Sequence, residues 1–149
     1  MGEAMREFMA RAVVFQDAVA RSVGVNGTDL QVVGLLMRDG PATAGELASR
    51  AGLTAGGAIT AVLDRLERAG YVRRERDTAD WRRVIVHADS AKVMEAVGPI
   101  YGRVGARWQE HLETLSEEQV EFAIELFARA AQINREEIER MHAETEAQR

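Results

Sequence analysis

The sequence predicts a mainly α-helical protein with one small antiparallel β hairpin. Three observations carry that prediction. Apolar residues recur at three- and four-residue spacing along most of the chain, and capping residues with Gly or Pro stops cut the pattern into helices. A run with strand character at residues 71–76 leads into a polar turn, and a second at 82–87 returns from it.

The first helix is predicted over residues 3–23, with Met5, Phe8, Met9, Ala12, Val19 and Val23 on or near one face and Gly24-Val25-Asn26-Gly27 ending it. Thr28 with Asp29 caps a second helix. Its Leu30, Val33, Gly34 and Met37 share one side, and Val32, Leu35 and Leu36 widen the stripe, which implies burial on more than one side. Asp39-Gly40-Pro41 stops it, because proline lacks an amide proton and biases its predecessor away from helical angles. Thr43 caps a short helix through Arg50, with Glu46 completing a capping box and Leu47 and Ala48 facing inward. Ala51-Gly52-Leu53 is the tight connection that joins the two helices of a helix-turn-helix.

The helix that follows is capped by Thr54 and buries Ile59, Val62, Leu63 and Leu66. Its opposite face carries Thr54, Gly56, Gly57, Thr60, Ala61 and Asp64, a strip of small side chains that lets the helix axis approach another surface closely. The competing explanation for Gly56-Gly57 is tight packing of helix against helix. Gly70 stops the helix, Tyr71-Val72-Arg73-Arg74-Glu75-Arg76 forms the first strand, and Asp77-Thr78-Ala79-Asp80 turns the chain.

Beyond the hairpin, Ser90 caps a helix running toward Leu112, interrupted or bent at Gly98-Pro99. Ser116 with Gln119 opens a last helix that extends to Met141. Within it Val120, Ile124, Phe127, Ala131, Asn134, Ile138 and Met141 follow alternating steps of four and three, the spacing of a coiled-coil seam with one polar residue inside it. The stripe either packs on the chain's own domain or pairs subunits. A long amphipathic helix at the other end of the chain favours pairing, with Asn134 at the contact and setting its register.

The 149 residues suit one domain with long helical additions. The absence of cysteine excludes disulfides, thiolate metal sites and thiol-based oxidant sensing, and makes a reducing cytoplasm the expected home. No basic-then-apolar leader and no membrane-length apolar run is present. The net charge is -5, yet residues 108–149 hold eleven acidic against four basic residues while the rest is near neutral. Within the hairpin Arg73, Arg74, Arg76, Arg82 and Arg83 outnumber Glu75, Asp77 and Asp80. His87, His111 and His142 are scattered, so no metal or other cofactor is expected, and no nucleophile motif, P-loop or dinucleotide fingerprint argues for an enzyme.

Residues 33–87 resemble the winged helix-turn-helix of MarR-family transcriptional regulators. The resemblance is most specific at Leu63-Asp64-Arg65-Leu66-Glu67, at Gly70-Tyr71-Val72, and at the wing Asp77-Thr78-Ala79-Asp80-Trp81-Arg82-Arg83-Val84-Ile85-Val86. It implies a winged helix-turn-helix DNA-binding domain over residues 28–89, with N- and C-terminal dimerisation helices at 1–27 and 90–149. The implied function is a homodimeric, sequence-specific regulator of double-stranded DNA, more often a repressor. Each subunit would place one helix in a major groove and its wing toward the adjacent minor groove.

By position, Arg82 matches the family's minor-groove arginine and Asp80 the acidic residue that braces the wing. Arg73, Arg74, Arg76 and Arg83 are expected on phosphates. Thr54, Gly56, Gly57 and Thr60 are expected at base edges or the backbone. The chain departs from the commoner family pattern at Ala61, where many members carry arginine or another long polar residue, so direct base readout is expected to be thin. Phe8, Phe15, Tyr101 and Trp108 are candidates to border a pocket for a small aromatic or lipophilic effector, against the plainer reading that they are core. Phe8, Val120, Ile124, Phe127, Asn134 and Ile138 are expected at the dimer interface. The competing function is a winged-helix module for protein association with little or no DNA binding.

Overall fold

The computed structural model describes residues 2–53 and 56–147. Its elements run in the order α1 (Gly2–Ser22), α2 (Gly27–Asp39), β1 (Ala42–Thr43), α3 (Ala44–Arg50), α4 (Gly57–Arg68), β2 (Val72–Arg76), β3 (Val84–Ala88), α5 (Ser90–Leu112) and α6 (Glu117–Ala147). Two compact units, Met1–Gly102 and Arg103–Arg149, divide the chain within α5. None of the described helices is long and apolar enough to cross a membrane.

The first unit is built around α2, whose broad apolar stripe buries Leu30, Val32, Val33, Leu35 and Leu36. Against it lie Leu47 of α3, Ile59, Val62, Leu63 and Leu66 of α4, Val72 and Val86 of the sheet, Val19 of α1, and Val93 and Val97 of α5. The mainly helical fold with its small antiparallel sheet is therefore as the periodicity indicates. The strands are ordered β1-β3-β2, all antiparallel, with Arg74 opposite Val86 and Arg76 opposite Val84.

Local boundaries depart from expectation in several places. The cap of α2 is Asn26 rather than Thr28: Asn26 Oδ1 accepts the Asp29 amide at 2.9 Å and Asp29 Oδ2 accepts the Asn26 amide at 3.2 Å. That reciprocal pair satisfies two otherwise orphaned donors. The two-residue strand β1, pairing Ala42 with Val86 and Thr43 with Ile85, is too short to show any periodicity. β3 begins at Val84 rather than Arg82, because the Arg83 amide donates to Asp80 O at 2.8 Å and holds residues 80–83 in the turn. The cap of α5 is Asp89, whose Oδ1 accepts the Lys92 amide at 3.0 Å, rather than Ser90. α5 also runs through Pro99 without interruption, although an interior proline removes one backbone hydrogen bond and crowds the carbonyl four residues earlier.

In the second unit, Ser116 and Gln119 form the expected capping box, with N···O distances of 2.9 and 3.3 Å. α6 extends past Met141 to Ala147. Arg140 pairs with Glu137 at 2.5 Å, and Thr145 Oγ1 donates to Met141 O at 2.8 Å. These local contacts support the additional turns.

Candidate nucleic-acid interface

The helix-turn-helix is formed by α3, the connection over residues 51–56, longer than the expected 51–53, and α4. Thr43 and Glu46 cap α3 reciprocally, the Thr43 amide donating to Glu46 Oε2 at 2.7 Å and the Glu46 amide to Thr43 Oγ1 at 3.3 Å. That hydrogen bonding holds the Glu46 carboxyl below the usual glutamate range. In α4 the inner face is fully packed, while Gly57, Thr60, Ala61 and Asp64 are exposed. Thr54, expected to cap this helix and to touch DNA, lies outside the described residues, and the residue at the cap position is Gly56, which has no side chain to offer a cap hydrogen bond.

Gly56 precedes α4 at φ 118°, a conformation that side-chain-bearing residues rarely adopt. A β-carbon added at Gly56 or Gly57 would meet nothing within 4 Å. Helix-on-helix packing within this chain therefore does not explain the pair. The start of α4 faces open space and is free to approach something else. Thr60 Oγ1 donates to Gly56 O at 3.1 Å, which steadies this first turn.

A buried ion pair fixes α4 against α2. Arg65 Nε donates to both carboxylate oxygens of Asp29, at 3.2 and 3.0 Å, and Arg65 Nη2 donates to Oδ1 at 2.7 Å. The Asp29 side chain has no solvent exposure, and that of Arg65 is 41% exposed. The hydrogen bonds from Arg65 to Asp29 raise the guanidinium pKa above its ordinary value. By sequence Asp29 is a capping residue and Arg65 has no marked role of its own. Nothing at a separation of 36 residues marks them as partners.

The wing is fastened to α4 by Arg74. Its Nη1 donates to Glu67 Oε2 and its Nη2 to Asp64 Oδ1, both at 2.7 Å, and its side chain is only 26% exposed. Arg74 thus differs from the outward-facing arginines expected on phosphates, because its charge is committed to two carboxylates of α4. Arg73 pairs with Glu75 at 2.6 Å and Arg83 approaches Glu46 at 3.6 Å, and both remain about half exposed.

At the tip, Asp80 Oδ1 accepts from both the amide and Nε of Arg82 at 3.1 Å, while 80% of the Arg82 side chain is exposed. The Arg82 side chain and then its amide lower the Asp80 pKa. The bracket is accordingly present at neutral pH and is lost only as pH falls below the ordinary aspartate value of 3.8. Arg76 Nη1 donates to Trp81 O at 3.1 Å, and its guanidinium lies 5.6 Å from the Trp81 ring centroid.

A groove of about 1010 Å³ opens among α1, α2 and the first part of α5, with Gln16, Leu30, Val33, Gly34, Val97 and Tyr101 in its wall. Of the four aromatic residues expected at a pocket, Tyr101 lines this groove. Phe15 meets the Tyr101 ring edge-on at 5.7 Å, and Tyr101 OH donates to Gln16 Oε1 at 3.3 Å. Phe8, in α1, does not line the groove, and Trp108 belongs to the second unit, where its indole meets His111 at 6.4 Å. On α6, Ile124, Phe127 and Ile138 are exposed and Val120 partly so, with Asn134 exposed among them. Among the described residues no three His, Cys, Asp or Glu side chains gather to hold a metal ion.

Comparison with known proteins agrees with this arrangement. A MarR-family model matches residues 23–83. The HTH-type transcriptional regulator YcgE of Bacillus subtilis is 36% identical over 136 residues, covering 91% of this chain and 87% of that protein. Two solved structures share the fold: FabT of Streptococcus pneumoniae, in complex with DNA (TM-score 0.71, 18% identity, 91% of this chain and 95% of that one), and PcaV of Streptomyces coelicolor, in complex with its natural ligand (TM-score 0.55, 20% identity, 88% and 91%). With that coverage and identity added to the helix-turn-helix and its arginine-bearing hairpin, the chain belongs to the MarR family, whose members are transcriptional regulators and not enzymes.

Proposed function

We propose that the protein is a homodimeric regulator of double-stranded DNA, acting as a repressor on a near-palindromic operator. One observation carries most of the reading: Arg82 is 80% exposed, braced by Asp80, on a hairpin that Arg74 ties directly to α4. With α4 in a major groove, this wing reaches the neighbouring minor groove, whose negative potential attracts an inserted guanidinium. Arg73, Arg76 and Arg83 then serve phosphates. The small outer face of α4 allows close approach at Gly57 and Thr60 but supplies few bidentate base contacts, so shape readout dominates. The fold shared with FabT, solved on DNA, supports this assignment.

The dimer contact falls on α6, whose Val120, Ile124, Phe127 and Ile138 stripe presents more apolar surface than a free helix keeps in water, with Phe8 of α1 assigned to the same interface. Asn134 within that stripe sets register. The groove beside Tyr101 takes a small aromatic or lipophilic effector. Its effect is differential, favouring a dimer whose helices no longer match the half-site spacing. The chain works in the cytoplasm, where its DNA is.

The test is titration of DNA from upstream of the protein's own coding sequence across a salt series, with sedimentation to give subunit number. A dimer that prefers this DNA over random sequence, with affinity falling steeply as salt rises, is the expected result. Equal, weak binding to both DNAs at low salt sinks the regulator reading and leaves the protein-association module.

A further inference from the structure

Trp81 is not part of the core, and apart from its contacts with Arg76 it stands 71% exposed at the tip of the wing. Tryptophan is enriched at the contact surfaces of proteins, where its large ring supplies much of the binding energy. Its position is fixed by the strand it leans on. Side chains alternate between the faces of a strand, so Val72, Arg74 and Arg76 of β2 share one face, as do Val84 and Val86 opposite them on β3. At its inner end that face is core, with Val72 and Val86 buried. In the middle, Arg74 reaches Asp64 and Glu67 of α4. At its outer end the face runs beyond the body of the unit, where Arg76 and Val84 are exposed. The Trp81 ring stands over Arg76, with 5.6 Å between guanidinium and ring centroid, and the Arg76 hydrogen bond to Trp81 O ties the same two residues again. The indole is therefore held on the side of the wing that carries α4, with Arg82 as its neighbour in sequence.

Resting on the DNA-binding reading above, we propose that Trp81 is a DNA-contacting residue. Its indole lies against the deoxyribose wall of the minor groove that Arg82 enters, and Arg76 holds it in place for that contact. The chemistry fits the surroundings: sugar edges are the apolar part of a groove wall, and the flanking arginines meet the phosphates on either side. Such a contact adds affinity without releasing counterions, which separates it from the contribution of an arginine.

The experiment uses the full-length protein and the tightest-binding fragment selected from genomic DNA. Trp81→Ala and Trp81→Phe are titrated on it at several salt concentrations, with and without netropsin bound in the minor groove. Trp81→Ala is expected to bind about 10- to 100-fold more weakly, the range for losing one aromatic contact. Its salt slope and its thermal unfolding should match the parent, and Trp81→Phe should retain most of the affinity. Netropsin should abolish the difference between the parent and Trp81→Ala. Unchanged affinity for Trp81→Ala, a changed salt slope, or a difference that survives netropsin each overturns the proposal while leaving the regulator reading intact. Failure of the parent itself to prefer any fragment overturns both.

Discussion

Replacing Arg65 with Met is expected to lower the free energy of unfolding by about 3 kcal/mol, because it leaves the Asp29 carboxylate buried without its cation. Asp29 has no exposed side-chain surface and receives three hydrogen bonds from Arg65. The value sits at the low end for a broken buried pair, since the Arg65 side chain is 41% exposed and water can reach part of its place. Asp29→Leu combined with Arg65→Met removes both charges and is expected to recover most of the loss. The shortfall is about 1 kcal/mol, because Asp29 also closes the capping box with Asn26. Urea unfolding at one fixed protein concentration measures both variants. An Arg65→Met protein within 1 kcal/mol of the parent would show that the pair does not hold α4 on α2.

The second large effect is on affinity. Arg82→Ala is expected to cost on the order of 1–3 kcal/mol of specific DNA binding while leaving dimer and fold unchanged. The side chain is 80% exposed and hydrogen-bonds to Asp80, so its removal forfeits little packing. A weaker but parallel loss follows for Asp80→Ala, which removes the carboxylate that orients Arg82 and leaves its charge in place. Competition titrations against random DNA separate the specific term from the general electrostatic one. Unaltered specific affinity in Arg82→Ala would mean that the wing does not enter the minor groove as proposed.

Much of this was legible in the sequence, and the failures have physical causes. The Thr43–Glu46 and Ser116–Gln119 capping boxes, the inner face of α4 and the arginine hairpin are all local patterns, and each is found where its spacing indicates. Asn26, Thr28 and Asp29 all belong to the capping alphabet, and only the geometry selects Asn26. Ala42-Thr43 becomes a strand because β3 lies beside it, a tertiary reason with no local signature. The same holds for Asp29 with Arg65, 36 residues apart, while Arg74 meets Asp64 and Glu67 only because β2 folds back along α4. The role of Gly56 was half visible. Its position near the helix start is in the sequence, while its φ of 118° and the open space around it are seen only in the fold.

In the proposed complex, paired α4 helices and wings read a nearly two-fold DNA site chiefly through its shape. Selection of bound fragments from genomic DNA by the full-length protein tests it most directly. Enrichment of one near-palindrome is expected, with half-sites one helical turn apart, roughly 34–36 Å, A·T-rich, narrow minor grooves where the wings fall, and weak base preference under α4. Recovery of fragments sharing no motif, or of a motif with strict base identity under α4 and none at the wings, would contradict it.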